Sequence, residues 1–261
     1  MPIKSLIAFV FLGLAVLAGP STAQSAKDSR EEIIALLGRL HEIVPIRDQL
    51  IEQGFRGEKL ELAEDHTRLM MNDKLVAGYI ADRLIALYDG DLSGLAATEG
   101  LIAPLYDSGV THLSVEEMRF FHEMQRALLD GMSKRNCGLI VKGEMRPRRM
   151  EDVLGRAETY FSIKTLRTYY RIQRKAVRLG VTRAPKQLSP SARTRIEQRI
   201  SEALNTRVQS VENGRAVARS FDNLQEASAA SACEAGKLFA DVILDLEGRD
   251  LREALLYLSA S

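Results

Sequence analysis

The sequence has no tryptophan, two cysteines, four histidines and seven prolines. Two cysteines, Cys137 and Cys233, are too few for a cysteine-built metal centre, and no CxxC pair is present to run dithiol redox chemistry. His41-Glu42 and His122-Glu123 lack the second histidine that an HExxH zinc site requires, while His66 and His112 stand apart in the sequence. There is no GxSxG elbow for a serine hydrolase and no P-loop for a nucleotide. No metal and no cofactor are therefore expected. The sparse prolines and the abundance of alanine and leucine favour helix over strand.

The first residues, MPIKSLIAFVFLGLAVLAGPSTAQSA, combine a lysine, a short apolar run from Leu6 to Leu17, and small residues at Ser21-Thr22-Ala23. That is the three-part form of a secretory signal peptide over residues 1–23, cleaved between Ala23 and Gln24. The apolar run is short for a span, and no later segment approaches the roughly 20 apolar residues a transmembrane helix needs. A periplasmic or secreted location follows as the expectation. In such an oxidising compartment Cys137 and Cys233 are expected to form a disulfide.

Removing residues 1–23 takes away only Lys4 from the 36 basic side chains and leaves the 35 acidic ones, so the remaining chain is neutral. It has no global attraction to nucleic acid or membrane. Residues 24–261 are long enough for one helical domain, with the best division into two subdomains near residue 180.

Helical periodicity recurs along the chain. Ser29 and Glu32 suggest a capping box before a helix ending near Val44, at Pro45. Gly54 and Gly57 mark a turn, and one long helix is predicted from Glu58 to about Tyr88. Residues 95–106 suggest a short helix distorted at Pro104. Ser114 and Glu117 make the clearest capping box, and residues 137–143 are too short to assign. Later helices are expected from Pro147, Ser162 and Ser189-Pro190, then over 216–247 with a break near Ala230, and from about Leu251 to Leu258. The expected fold class is all-α, an irregular multi-helix bundle with one disulfide.

One stretch departs from neutrality. Residues 159–186, TYFSIKTLRTYYRIQRKAVRLGVTRAPK, hold eight lysines and arginines and no acid. On a helical wheel Arg167, Arg171, Arg174 and Arg178 recur at spacings of four, three and four, so they form one ridge. Leu166, Tyr169, Ile172, Ala176, Val177 and Leu179 gather on the other side. Like charges at these spacings repel by a few tenths of a kcal/mol per pair, so a negative neighbour is expected. Inside the chain the acid-rich segments 61–99 and 222–253 are candidates, each with eight acids against three bases. A ridge buried against either would have nothing left to dock.

Outside the chain, an anionic lipid, a glycan or an envelope protein would suit an arginine ridge, whose forked donors fit phosphate and carboxylate. Nucleic acid is disfavoured, because no recognition motif accompanies the charge and export removes the chain from it. The expected binding residues are Arg167, Arg171, Arg174 and Arg178, helped by Lys164 and Lys175, in an exported, non-catalytic binding or structural protein. RPRRM, residues 146–150, either extends this patch or is an ordinary surface loop. The alternative is a cell-envelope hydrolase acting on glycan or peptidoglycan through two carboxylates. Glu64-Asp65 and Glu116-Glu117 are adjacent acids, but neither placement marks one of them as a proton donor.

Overall fold

Five serines set the starts of helices. Ser114, Ser133, Ser162, Ser189 and Ser228 each sit at an N-cap, and each side-chain oxygen accepts the backbone N–H three residues on. At Ser114 the box is complete, because Glu117 returns the bond to the Ser114 backbone N–H at 3.2 Å. The computed structural model describes residues 26–39, 45–88 and 102–259. Residues 1–23, where the signal peptide is expected, lie outside the described residues, as do 40–44 and 89–101.

The described helices are α1 (Ala26–Gly38), α2 (Ile46–Gln53), α3 (Gly57–Met71), α4 (Lys74–Tyr88), α5 (Ala103–Val110), α6 (Val115–Asp130) and α7 (Lys134–Val141), followed by α8 (Pro147–Glu158), α9 (Ile163–Thr182), α10 (Pro190–Val208), α11 (Gly214–Asp222), α12 (Ala229–Leu244) and α13 (Gly248–Ser259). There is no strand among the described residues, so the all-α bundle holds. No described helix is long and apolar enough to cross a membrane.

Several local expectations are corrected. The long helix over 58–88 is two helices, because Asp73 starts a new one: its Oδ1 accepts from Leu75 N at 3.0 Å and Val76 N at 3.3 Å. A side chain that satisfies two free N–H groups at once competes with helix continuation, and the apolar spacing carries no trace of it. α1 begins at Ala26, three residues before the proposed cap Ser29. Pro104 opens α5 instead of distorting a helix, in the first turn where its missing N–H costs nothing. Residues 137–141 form the last part of α7, whose start Ser133 caps, and Lys142 and Gly143 turn the chain out of it.

The ends of α2 show how a turn is forced by burial. Gly54 adopts φ 104°, and the Phe55 N–H bonds back to Leu50 O at 2.9 Å. This left-handed end places Phe55 inside, where it is 1% exposed. Substituting a Cβ-bearing residue would strain that turn.

α9 is the central element, in contact with α3, α4, α5 and α6. Its apolar side, including Leu166, Ile172, Ala176 and Val177, is fully buried in a main core that runs from Ile33 to Leu255. A small second cluster joins Val217, Ala235 and Leu238. α7 lies on α12, and the Cys137–Cys233 disulfide joins them, with a Cα–Cα distance of 5.2 Å. The Arg126 guanidinium ties α6 to α12 through two bonds to Asp241, at 2.7 and 3.1 Å.

Candidate functional site: the basic face of α9 and the polar nest beneath it

The wheel assigned four arginines to one ridge, and the fold divides them. Arg167 pairs with Glu58 at 3.1 Å, and Arg178 pairs with Asp73. Arg171 and Lys175 share Glu117, at 3.7 and 2.6 Å. Lys164 is exposed and has no ion-pair partner among the described residues. Arg174 turns inward and is half-buried, its Nη1 donating to His66 Nδ1 at 3.1 Å.

The partners come from three places. Asp73 and His66 belong to the acid-rich segment 61–99, whereas Glu58 precedes it and Glu117 follows it. Five of the eight acids of 222–253 are engaged elsewhere: Glu234 with Lys134, Asp241 with Arg126, Asp245 with Arg207, Asp250 with Arg199, and Glu253 with Arg195 and Arg249. Pairing does not bury the ridge. The side chains of Arg167, Arg171 and Arg178 remain 59–64% exposed. Pairs this wet contribute at most about 1 kcal/mol each, so a stronger anion can displace them. Among the described residues the direct carboxylate partners of the five outward cations are Glu58, Asp73 and Glu117, which leaves the face positive.

Glu117 joins cap and ridge. Partial burial works against its charge, but the Lys175 hydrogen bond, the Ser114 N–H and the Lys175 and Arg171 charges prevail and hold its carboxyl below the usual range. The same side chain that starts α6 thus orients two ridge cations.

Under the ridge lies a nest of polar side chains from five helices. His66 of α3 stacks on Tyr170 of α9, with ring centroids 4.1 Å apart and planes within 5°. The Tyr170 hydroxyl donates to Glu158 Oε2 of α8 at 2.8 Å. Gln125 of α6 donates to the Tyr169 hydroxyl at 2.7 Å, and Tyr106 of α5 is fully buried nearby. Because arginine only donates, His66 Nδ1 must accept, so the imidazole is neutral with its proton on Nε2. Burial, then the Arg174 charge, push its proton affinity well below the ordinary histidine value.

Glu158 is the residue that the sequence reading missed. Burial raises its pKa to about 7, against the lowering effect of the Tyr170 hydrogen bond. A signal was present: Glu151, Leu154 and Glu158 recur at three and four, so both acids fall on the buried side of α8 along with Leu154. The groups that set its proton affinity are its own burial and the Tyr170 hydroxyl, not a second carboxylate. Among the described residues no cluster of histidine, cysteine and acid is placed to hold a metal ion. No known protein family, curated protein or solved structure matches the chain.

The nest gives a pH dependence with a definite sign. Glu158 has a folded pKa near 7 against 4.5 when free, so the folded chain holds its proton where the unfolded chain releases it. Stability is lost as pH rises from about 4.5 to about 7, by up to about 3 kcal/mol. His66 and His122 pull the other way: His122 is pushed down to about 4 by burial, and both weaken the fold as pH falls below 6.5. Comparison with Glu158→Gln isolates the carboxyl, since glutamine can still accept from Tyr170. The variant is expected to match the parent near pH 4.5 and to melt several degrees higher at pH 8. Equal melting shifts at both pH values would show that Glu158 ionises freely.

Proposed function

We propose that this chain is an exported, non-catalytic docking protein of the periplasm or extracellular space, which holds an anionic surface against the basic face of α9. One observation carries the reading: among the described residues five outward cations on one face meet three carboxylates in direct contact, and those cations stay largely exposed. The binding residues are Lys164, Arg167, Arg171, Lys175 and Arg178. Arg174 supports the face from within, because its guanidinium is committed to His66. The suitable partners are anionic lipid, anionic glycan, or an acidic patch on an envelope protein. The apolar side of α9 is used up by the core, so contact is made by charge alone and is expected to weaken with salt.

The hydrolase reading draws support from Glu158, whose raised pKa suits a general acid. Glycan cleavage also needs a second carboxylate roughly 5 to 10 Å across an open cleft, whereas the Glu158 carboxyl is held in the nest by burial and by the Tyr170 hydroxyl. Docking is the better-supported function.

The test uses vesicles of phosphatidylglycerol or phosphatidylcholine and, separately, heparin as a soluble anionic glycan. Arg167→Glu/Arg171→Glu is the variant of choice, since both side chains are exposed and neither touches the nest. Binding to an anionic probe at low salt is expected to weaken at least tenfold in the variant, at about 1 kcal/mol per charge near the surface. Parent and variant binding alike, or neither probe binding at low salt, would overturn the α9 face as a docking surface.

A further inference from the structure

A second basic region is less neutralised than the ridge. Residues 134–150, KRNCGLIVKGEMRPRRM, contain six lysines and arginines and one acid, Glu144. The fold bends this stretch so that the starts of α7 and α8 meet: Arg149 Nη2 donates to Asn136 Oδ1 at 3.0 Å. The backbone at this corner is well anchored, by the Cys137 disulfide, by Met145 at 8% exposure, and by the Ser133 cap. The guanidinium groups are not. Arg135, Arg146, Arg148 and Arg149 are all exposed, and the first three have no ion-pair or hydrogen-bond partner among the described residues. Among the described residues the partner of the Arg149 guanidinium is an uncharged amide.

The nearby acids are already engaged. Glu144 pairs with Lys142 at 2.9 Å, Glu234 with Lys134 at 3.7 Å, and Asp152 with Arg156 at 3.0 Å. Glu151 is buried at 7% exposure. Arg146, Arg148 and Arg149 also crowd the first turn of α8, which has no acidic residue, so they repel one another and the positive end of the helix. Folding therefore gathers four guanidinium groups at one corner, where no carboxylate among the described residues pairs with them.

We propose that the corner formed by Arg135, Arg146, Arg148 and Arg149 is a second docking surface, which binds a linear phosphate-bearing polyanion. Guanidinium forks match phosphate oxygens in pairs, and a chain of phosphates can meet several arginines in turn. A bilayer fits less well. Ile140, Val141 and Met145 are buried, Leu139 and Met150 pack partly buried against the core, and the exposed large hydrophobics among the described residues, Leu69 and Tyr160, come from other elements, so the corner exposes no large apolar side chain to insert. The corner is also distinct from the α9 face. It lies at the start of α8, whereas Glu158, which touches α9, lies at its end, about 15 Å of helix away.

The test is fluorescence anisotropy with labelled inorganic polyphosphate across a salt series, with phosphatidylglycerol vesicles as a second arm. Four phosphate contacts give a log–log salt slope near −3 for a flexible single chain. Arg146→Ala/Arg148→Ala removes two exposed side chains without a hydrogen bond to lose, and is expected to weaken polyphosphate binding at least tenfold and halve the slope. Arg252→Ala, at an exposed arginine of α13 outside both surfaces, is expected to leave both unchanged, and Arg167→Glu/Arg171→Glu serves as the α9 arm. Polyphosphate binding that is insensitive to the corner variant would overturn the proposal, as would no binding at low salt. Vesicle binding that depends on the corner, without polyphosphate binding, would overturn the polyanion and assign the corner to a membrane. A result that affects only the α9 variant would support the α9 reading and sink this one.

Discussion

Gly109→Ala is expected to destabilise the protein by about 3 kcal/mol or more, opposite in sign to the usual effect of replacing glycine inside a helix. The cause is the crossing of α5 and α9. A Cβ on Gly109 would lie 1.7 Å from Ala176 O, and one on Gly180 would lie 2.0 Å from Leu105 O. The obstacles are backbone atoms, which cannot turn aside as a side chain can. The two helices touch main chain to main chain, with Leu105 and Gly109 on one and Ala176 and Gly180 on the other, four residues apart on each. Adding a methyl group must push α5 away from α9 and so pull Leu105 and Tyr106, at 3% and 0% exposure, out of close packing.

Gly155→Ala in α8 is the control. There a new Cβ meets only the end of the Gln53 side chain, which can rotate away. That variant is expected to be neutral or slightly stabilising, through the reduced freedom of the unfolded chain. Chemical denaturation of both variants decides the matter. If Gly109→Ala unfolds at the same denaturant concentration as Gly155→Ala, the helices do not approach as closely as described.

The contrast between these glycines explains what could be read from sequence. Helix starts were legible at Ser114, Ser162 and Ser189, because capping is local chemistry between residues three apart, whereas the caps at Ser133 and Ser228 went unread. The buried and exposed sides of α9 were legible for the same reason, since a period near 3.6 records which side faces the core. The break at Asp73 was hidden, because one carboxylate redirects the chain without altering that period. The fate of each cation was hidden too. Arg174 and Arg171 look alike on a wheel, yet one meets His66 and the other meets Glu117, depending on where α3 and α6 cross α9. Long-range crossing geometry is set by glycines such as Gly109 and Gly180, whose spacing in sequence names no partner. Glu158 lay between these extremes: its place on the buried side of α8 was readable, but its contact with Tyr170 was not.

Removing the disulfide, as Cys137→Ala/Cys233→Ala, is expected to lower stability by about 4 kcal/mol while leaving the helical fold in place. The bridge spans 96 residues, and closing a loop of that length restricts the unfolded chain by roughly 4 to 5 kcal/mol in the chain-entropy picture. In the folded state the same two helices are held by other means. A Cβ on Gly138 would lie 1.9 Å from Ala229 O, and one on Gly236 would lie 2.5 Å from Val141 Cγ2, so α7 and α12 fit together through their glycines. Arg126 and Asp241 fix α12 to α6 independently. The loss should therefore arise in the unfolded state: an unchanged helical spectrum, a lower urea midpoint, and a larger dependence on denaturant as the freed chain exposes more surface. Both sulfurs are fully buried, so reductant alone, without denaturant, is expected to leave the bridge intact. A variant that unfolds at the parental midpoint, or native protein prepared without reductant whose two thiols alkylate freely, would show that the fold does not depend on the bond. If instead the helical spectrum collapsed with the bond, the glycine contacts would be too weak to hold α7 on α12, and the arginine corner that α7 helps to build would exist only in the oxidised protein.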